Sequence, residues 1–310
     1  MGSTDAAGRS RRSTGVLGAL TLAAPGEGHI LPHEHTTPKA KSDRLDLLRA
    51  TGANLSPIWG LSPTAGLTDA IGEPGPDAQT WSDDDGITHT LWSITDPTHQ
   101  QAISRAVDAN PVVVADGHHR YETSLHYRDE RRSRSGTGDA GDAEAAMVFM
   151  VELVADELTV LPIHRLLDGV APGTDLAAAL DPWFQVGDEI AASPGTLDEM
   201  VAGGFLVLVE ADRMVSLTPR EGRFDHLVDL DTVRLDAALA DLGGVSLSYQ
   251  HGIDHVIDAV RSGRAQAGVL VRPATVDQIR ATADGGERMP PKTTFFHPKP
   301  KTGLVFRTTS

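Results

Sequence analysis

Val112-Val113-Val114-Ala115-Asp116-Gly117-His118-His119-Arg120 decides how the chain is read, because chain geometry and reactive side chains meet there. Three β-branched residues and an alanine form the short apolar run of a fully buried strand. Asp116-Gly117 breaks that run. His119 to Glu130 then follows without a breaker, with bulky residues recurring at Tyr121 and Leu125, so the pattern predicts a helix. The local expectation is strand, glycine turn, helix. Glycine lets backbone approach a ligand closely, N–H groups at a helix start favour an anion, and Arg120 adds a planar charged fork suited to phosphate. The structural alternative is a β-hairpin or crossover turn with exposed histidines. Two histidines and an arginine in direct succession after a strand have little structural use, and the functional reading is carried forward.

The chain has 310 residues, enough for two domains with sizeable cores, and 40% hydrophobic with 23% charged residues is ordinary for a globular protein. Lys+Arg 27 against Asp+Glu 43 gives a formal charge of -16. That balance repels nucleic-acid phosphates, so no nucleic-acid partner is expected, while a local cationic pocket for a small-molecule substrate stays open. The chain has no cysteine, which excludes disulfides, thiolate nucleophiles and cysteine metal sites, and leans toward a cytoplasmic location. No stretch approaches the roughly 18 apolar residues of a membrane span, and no membrane partner is expected. Ser10-Arg11-Arg12 ahead of Gly15 to Ala24 has the outline of a twin-arginine export signal. Its apolar part is short and carries Gly15 and Gly18, so it is read instead as a strand at the edge of the first domain.

In order, Met1 to Thr14 reads as loose or a hairpin remnant, Gly15 to Ala24 as a strand and Pro25 to Gly28 as a turn. Lys41 to Thr51 predicts an amphipathic helix with Leu45, Leu47 and Leu48 toward a core, closed by Gly52. Leu55 to Trp59 predicts a strand, Thr64 to Ile71 a short helix, and Thr80 to Thr95 a β-hairpin turning at Asp84-Asp85-Gly86. Asp96-Pro97 is a capped helix start, with the helix running to Ala109. Arg131 to Ala143 lacks apolar periodicity and reads as a surface loop; Ala146 to Val154 and Leu158 to Ile163 read as an apolar hairpin. A boundary after that hairpin gives a first domain over 1–168 and a second over 169–310. In the second, strands such as Phe205 to Glu210 and Ala267 to Val271 alternate with helices such as Asp231 to Leu242 and Ile253 to Arg261. The fold class expected is α/β with mixed sheets.

Two further stretches carry chemistry. Ile30 to Lys39 is a short extended segment in which Pro32 and Pro38 bracket His33, Glu34 and His35. Near the end, Glu287 to Lys301 is proline-rich yet dense in cations and aromatics. It reads either as a solvated loop or as a segment from which Lys292 or Lys299 reaches the phosphate site as a point charge. The chain has no repeat, Walker loop, H-E-x-x-H or G-x-S-x-G.

Asp116 to Thr123, Pro32-His33-Glu34 with Thr37-Pro38-Lys39, Asn54 to Trp59, and Arg288 to Thr294 together resemble the bacterial and archaeal family of unknown function numbered 1015. The likeness spans Thr14 to Arg307. Members of that family carry a further N-terminal segment of several dozen residues, so the chain is expected to be N-terminally short. More distantly, the D-G-H-H-R turn is similar to the nucleotide-contacting turn of the ParB/sulfiredoxin superfamily, and P-H-E upstream of it is similar to that superfamily's free-serine kinases. This resemblance implies a ParB/sulfiredoxin-like N-terminal domain that uses ATP or ADP with Mg²⁺. It implies Glu34, Asp116 and His119 as the catalytic set, with Glu34 as base for the substrate hydroxyl and Asp116 as metal or hydroxyl contact. Gly117, His118, His119 and Arg120 become the phosphate cradle, with Lys292 as a further phosphate contact. Sulfiredoxin chemistry is excluded, because it needs a cysteine where His118 stands.

Three functions follow as expectations. The first is a nucleotide-dependent kinase of a small hydroxylated metabolite, with free L-serine foremost. The second is a nucleotide-binding switch without turnover, and the third a phosphohydrolase with a metal held by His33, His35, His118 and His119.

Overall fold

In the computed structural model, which describes residues 1–4, 10–24, 26–27, 30–32, 41–285 and 289–309, the chain forms two compact units. The first comprises Met1–Thr159, Arg280–Pro291 and Phe296–Ser310; the second comprises Val160–Ile279 and Lys292–Phe295. The fold is mixed α/β, with parallel and antiparallel pairing.

The first unit contains, in order, β1 (Gly2–Thr4), β2 (Ser10–Arg12), β3 (Gly15–Thr21), β4 (Ile30–Pro32), α1 (Lys41–Thr51), β5 (Ala53–Asn54), β6 (Ile58–Ser62) and α2 (Leu67–Ile71). It continues through β7 (Gln79–Ser82), β8 (Thr88–Leu91), α3 (Pro97–Asp108), β9 (Val112–Asp116), α4 (His118–Ser135) and β10 (Ala145–Glu152). Its main sheet has the order β3-β10-β6-β9-β4. β10 runs antiparallel to β3 and parallel to β6, while β9 runs antiparallel to β6 and parallel to β4. β9 is therefore an interior strand, which is why Val112 to Ala115 are all buried and why the run is continuous rather than alternating. Val112 and Val114 pack with Ile58, Ile71, Ile103 and Tyr121 in one core cluster, each such side chain contributing roughly 1.5–3 kcal/mol by burial. A smaller antiparallel sheet, β2-β1-β8-β7, carries the predicted hairpin at Asp84-Asp85-Gly86.

Several expectations are corrected. Leu47 is 51% exposed; Leu48 makes the buried contact of α1, together with half-buried Leu45. Arg131 to Ala143 is not one loop, since α4 continues to Ser135 and a 3-10 turn covers Gly141–Glu144. Arg132 there pairs with Glu144, and earlier in α4 buried Arg128 donates to the Leu22 carbonyl (2.8 Å). β10 does not form a hairpin with β11 (Thr159–Pro162), because its two edges are taken by β3 and β6.

After β11 the second unit holds β12 (His164–Asp168), α5 (Leu176–Leu180), β13 (Phe184–Glu189), α6 (Thr196–Gly203), β14 (Leu206–Val209) and β15 (Met214–Pro219). It goes on with α7 (Asp231–Ala240), β16 (Ser246–Gln250), α8 (Ile253–Arg261), β17 (Ala267–Leu270) and α9 (Val276–Asp284), along which the chain leaves the unit. The six-stranded sheet, β13-β15-β14-β17-β12-β16, is antiparallel at every pairing described. Alternation along β14 fills both faces: Leu206 and Leu208 enter one cluster with α5 and α7, Val207 and Val209 another with α6 and α8. Because β12 pairs β16 and β17, residues 164–168 belong with this sheet. Strands β18 (Thr294–His297) and β19 (Arg307–Thr308) close the chain, β19 pairing β5.

Candidate functional site

Asp116 ends β9 and is half-buried, opposite a slip in the β6–β9 ladder between Trp59 and Gly60. Such irregularities re-aim a side chain at the end of a strand. Gly117 follows at φ 92°, ψ 25°, as the N-cap of α4, and supplies no side-chain cap. The left-handed conformation favours glycine. Space demands it too, since a Cβ at 117 would lie 2.9 Å from the Arg120 Nε.

Arg120, in the first turn of α4, folds back beneath that glycine. Its Nη1 donates to Ser56 Oγ (2.6 Å) and to the Pro57 carbonyl, and its Nη2 donates to Asp116 Oδ2 (2.7 Å). Charge-assisted bonds of this kind contribute roughly 1.5–3 kcal/mol each. Lys299 reaches the other carboxylate oxygen, Nζ to Oδ1 at 2.8 Å. The segment bearing Lys299 is held by Phe296, 1% exposed, whose ring lies 5.6 Å from that of Trp59. Trp59 is the register partner of Asp116, so the aromatic contact and the ion pair fix the same segment. Burial pushes the Asp116 carboxyl up, but Lys299, Arg120 and His118 more than offset it and hold it below the ordinary carboxylate value. Burial lowers Arg120 despite Asp116, yet a guanidinium stays charged in a protein. One anion between two cations leaves the turn net positive.

Of the residues expected to form the site, Asp116, Gly117, His118, His119 and Arg120 are contiguous at this turn. His118 and His119 are half-buried in the first turn of α4, and His118 Nε2 is buried. The helix start is anchored by Tyr121, whose hydroxyl donates to the Ala23 carbonyl (2.8 Å) and accepts from its N–H (3.0 Å). Lys292 belongs to the second unit, exposed and at φ 62°, its carbonyl accepting from Arg165 Nη1 at 2.8 Å. Glu34, His33 and His35, with Thr37-Pro38-Lys39, lie outside the described residues, as does Arg288. Among the described residues no group of three or more His, Asp or Glu is placed to hold a metal, and no helix is long and apolar enough to cross a membrane.

Sequence reasoning missed Ser56 and the Pro57 carbonyl as the clamp on Arg120. The signal was the Asn54 to Trp59 motif itself: Asn54 Oδ1 accepts from Met147 N (2.9 Å), Ser56 and Pro57 hold Arg120, and the Trp59 ring packs at a tilt against Phe296. An open cavity of 1970 Å³ elsewhere in the first unit is lined by residues such as Leu17, Trp81, Trp92 and Ile103. Its lining includes neither Asp116 nor Gly117 and shares Pro57 with the clamp on Arg120.

Fold and site together define a mixed α/β protein with a cation-lined strand–glycine–helix turn. The chain belongs to the family described as "Protein of unknown function (DUF1015)", whose sequence pattern matches residues 3–238. No curated protein matches it. Three solved structures show likeness along nearly the whole chain. Free serine kinase in complex with AMP is 14% identical, with 95% of this chain and 93% of that chain covered and a TM-score of 0.44. A conserved hypothetical protein from Pyrococcus furiosus is 12% identical, covering 96% and 97%, at 0.45. SbnI from Staphylococcus aureus, C-terminally truncated, is 14% identical, covering 93% and 85%, at 0.48.

Proposed function

We propose that the protein is a nucleotide-dependent kinase of a small hydroxylated metabolite, with free L-serine the first acceptor to try. The observation that carries this reading is the Asp116-Gly117 turn. An interior strand delivers a carboxylate, a left-handed glycine without a side-chain cap opens an 18-residue helix, and Arg120 and Lys299 gather on the carboxylate. Phosphoryl transfer asks a protein mainly for positioning and charge neutralisation, which this turn offers. The ParB/sulfiredoxin likeness of D-G-H-H-R and the cytoplasmic location belong to the same reading.

In the proposed reaction the acceptor hydroxyl oxygen bonds to the terminal phosphorus, the bond from phosphorus to the nucleotide's bridging oxygen breaks, and the hydroxyl proton passes to Glu34. The residues fit Mg²⁺ in one way. Mg²⁺ is commonly held by one or two carboxylates plus substrate phosphates, and Asp116 is a single carboxylate at the mouth of the turn. Bound there, the ion would neutralise phosphate charge. Gly117, His118, His119 and Arg120 shape the backbone around the phosphates.

The test is purified protein with ATP or ADP, Mg²⁺ and a panel of hydroxy amino acids, read by phosphorus NMR. A phosphorylated acceptor that disappears with Glu34→Gln is expected. Nucleotide binding without any phosphorylated product overturns the kinase and leaves the switch.

A further inference from the structure

We propose that Lys299 is a phosphate-binding residue of this turn, and that Asp116 is its counter-ion until an anionic ligand takes its place. The proposal rests on the nucleotide reading above and adds to it an exchange of partners within the site.

The two cations on Asp116 are held differently. Arg120 sits against Gly117, 26% exposed, and moving it breaks its bonds to Ser56, Pro57 and Asp116 together. Lys299 lies on the outer carboxylate oxygen, 44% exposed, at the end of a flexible four-carbon stem. Its backbone is pinned on both sides. Phe296 is buried against Trp59, and Lys301 bridges Asp83 and Asp85 at 2.9 Å each. Pro298 and Pro300 flank Lys299 and fix φ on either side of it. Only the lysine side chain has to turn for the exchange.

The charges favour that movement. Asp116, Arg120 and Lys299 sum to one positive charge in a chain whose formal net charge is -16, so the turn is a local attractor for phosphate. An arriving phosphate offers Lys299 a second anion while Arg120 keeps Oδ2 of Asp116 paired. Oδ1, released by Lys299, then becomes available to a divalent cation that enters with the phosphates. No bond is made or broken; one ion pair replaces another.

The experiment titrates ADP with Mg²⁺, and separately adenosine, into wild type, Lys299→Met and Lys299→Arg, with urea midpoints recorded to monitor folding. Lys299→Met should bind ADP about tenfold more weakly or worse, the scale of one charge-assisted hydrogen bond, with adenosine affinity unchanged. Lys299→Arg should recover most of the loss. Equal ADP affinity in wild type and Lys299→Met overturns the proposal, as does an equal loss of ADP and adenosine, which marks a purely structural lysine. A wild type that binds neither compound overturns the nucleotide reading itself, and the proposal with it.

Discussion

Helices α3 and α4 both begin beside an aspartate, and they begin in opposite ways. Asp96 is itself the N-cap of α3, accepting from Thr98 N (3.4 Å) and His99 N (3.0 Å), with Pro97 at the first helical position. Asp116 stands one residue before the cap of α4. Gly117 takes the cap position, and the carboxylate turns to Arg120 and Lys299. A helix start that only has to be stable is closed by its own acid. At α4 the acid is drawn into ion pairs and the cap has no side chain, an arrangement suited to a visiting anion.

The contrast can be broken by substitution. Arg120→Ala removes the clamp on Ser56, Pro57 and Asp116, and should cost about 3 kcal/mol in urea unfolding and abolish measurable ADP binding. Gly117→Ala forces a Cβ to within 2.9 Å of the Arg120 Nε at φ 92°. It should cost about 1–2 kcal/mol from the backbone alone, and ADP affinity should fall at least about tenfold as Arg120 is displaced. Asp96→Ala should cost about 1 kcal/mol and leave ADP affinity unchanged; a loss of affinity matching that of Gly117→Ala would erase the distinction between the two helix starts.

The smallest effect is a pH dependence. The Asp116 carboxyl is lowered in the folded state because its cations outweigh burial. Its contribution is therefore present above the unfolded value of about 3.9 and is lost as pH falls through the folded value. Asp116→Asn should be less stable than wild type at neutral pH, and the gap should narrow as denaturation is repeated toward about pH 3. A gap that widens on acidification would mean that the carboxylate is not held by Lys299 and Arg120.

Local signals were legible where one stretch of sequence decides the outcome. α1 spans Lys41–Thr51 as its pattern and Gly52 predict, α8 spans Ile253–Arg261, and the apolar run with its glycine gave β9 and the start of α4. Pairing was not legible. Nothing in Ala145 to Glu152 says that β3 and β6 will flank it, and its apolar partner next along the chain invited a hairpin. Charge also misled: Arg132 looks like a loop residue until its partner, Glu144, is seen. The site divides the same way. Asp116 to Arg120 were readable as a block, whereas Ser56 and Pro57 act through a hydroxyl and a carbonyl at long range, which leave no charge pattern. The pairing of Lys299 with Asp116 is likewise set by the fold and not by any local pattern.

The most direct measurement is a crystal structure of the protein with ADP and Mg²⁺. The phosphates should lie at the Gly117 turn, within hydrogen-bond distance of backbone N–H groups in the first turn of α4, with Lys299 moved from Asp116 onto them and Arg120 still clamped by Ser56 and Pro57. Nucleotide bound elsewhere, or phosphates facing away from Gly117 with the Lys299–Asp116 pair intact, would contradict this.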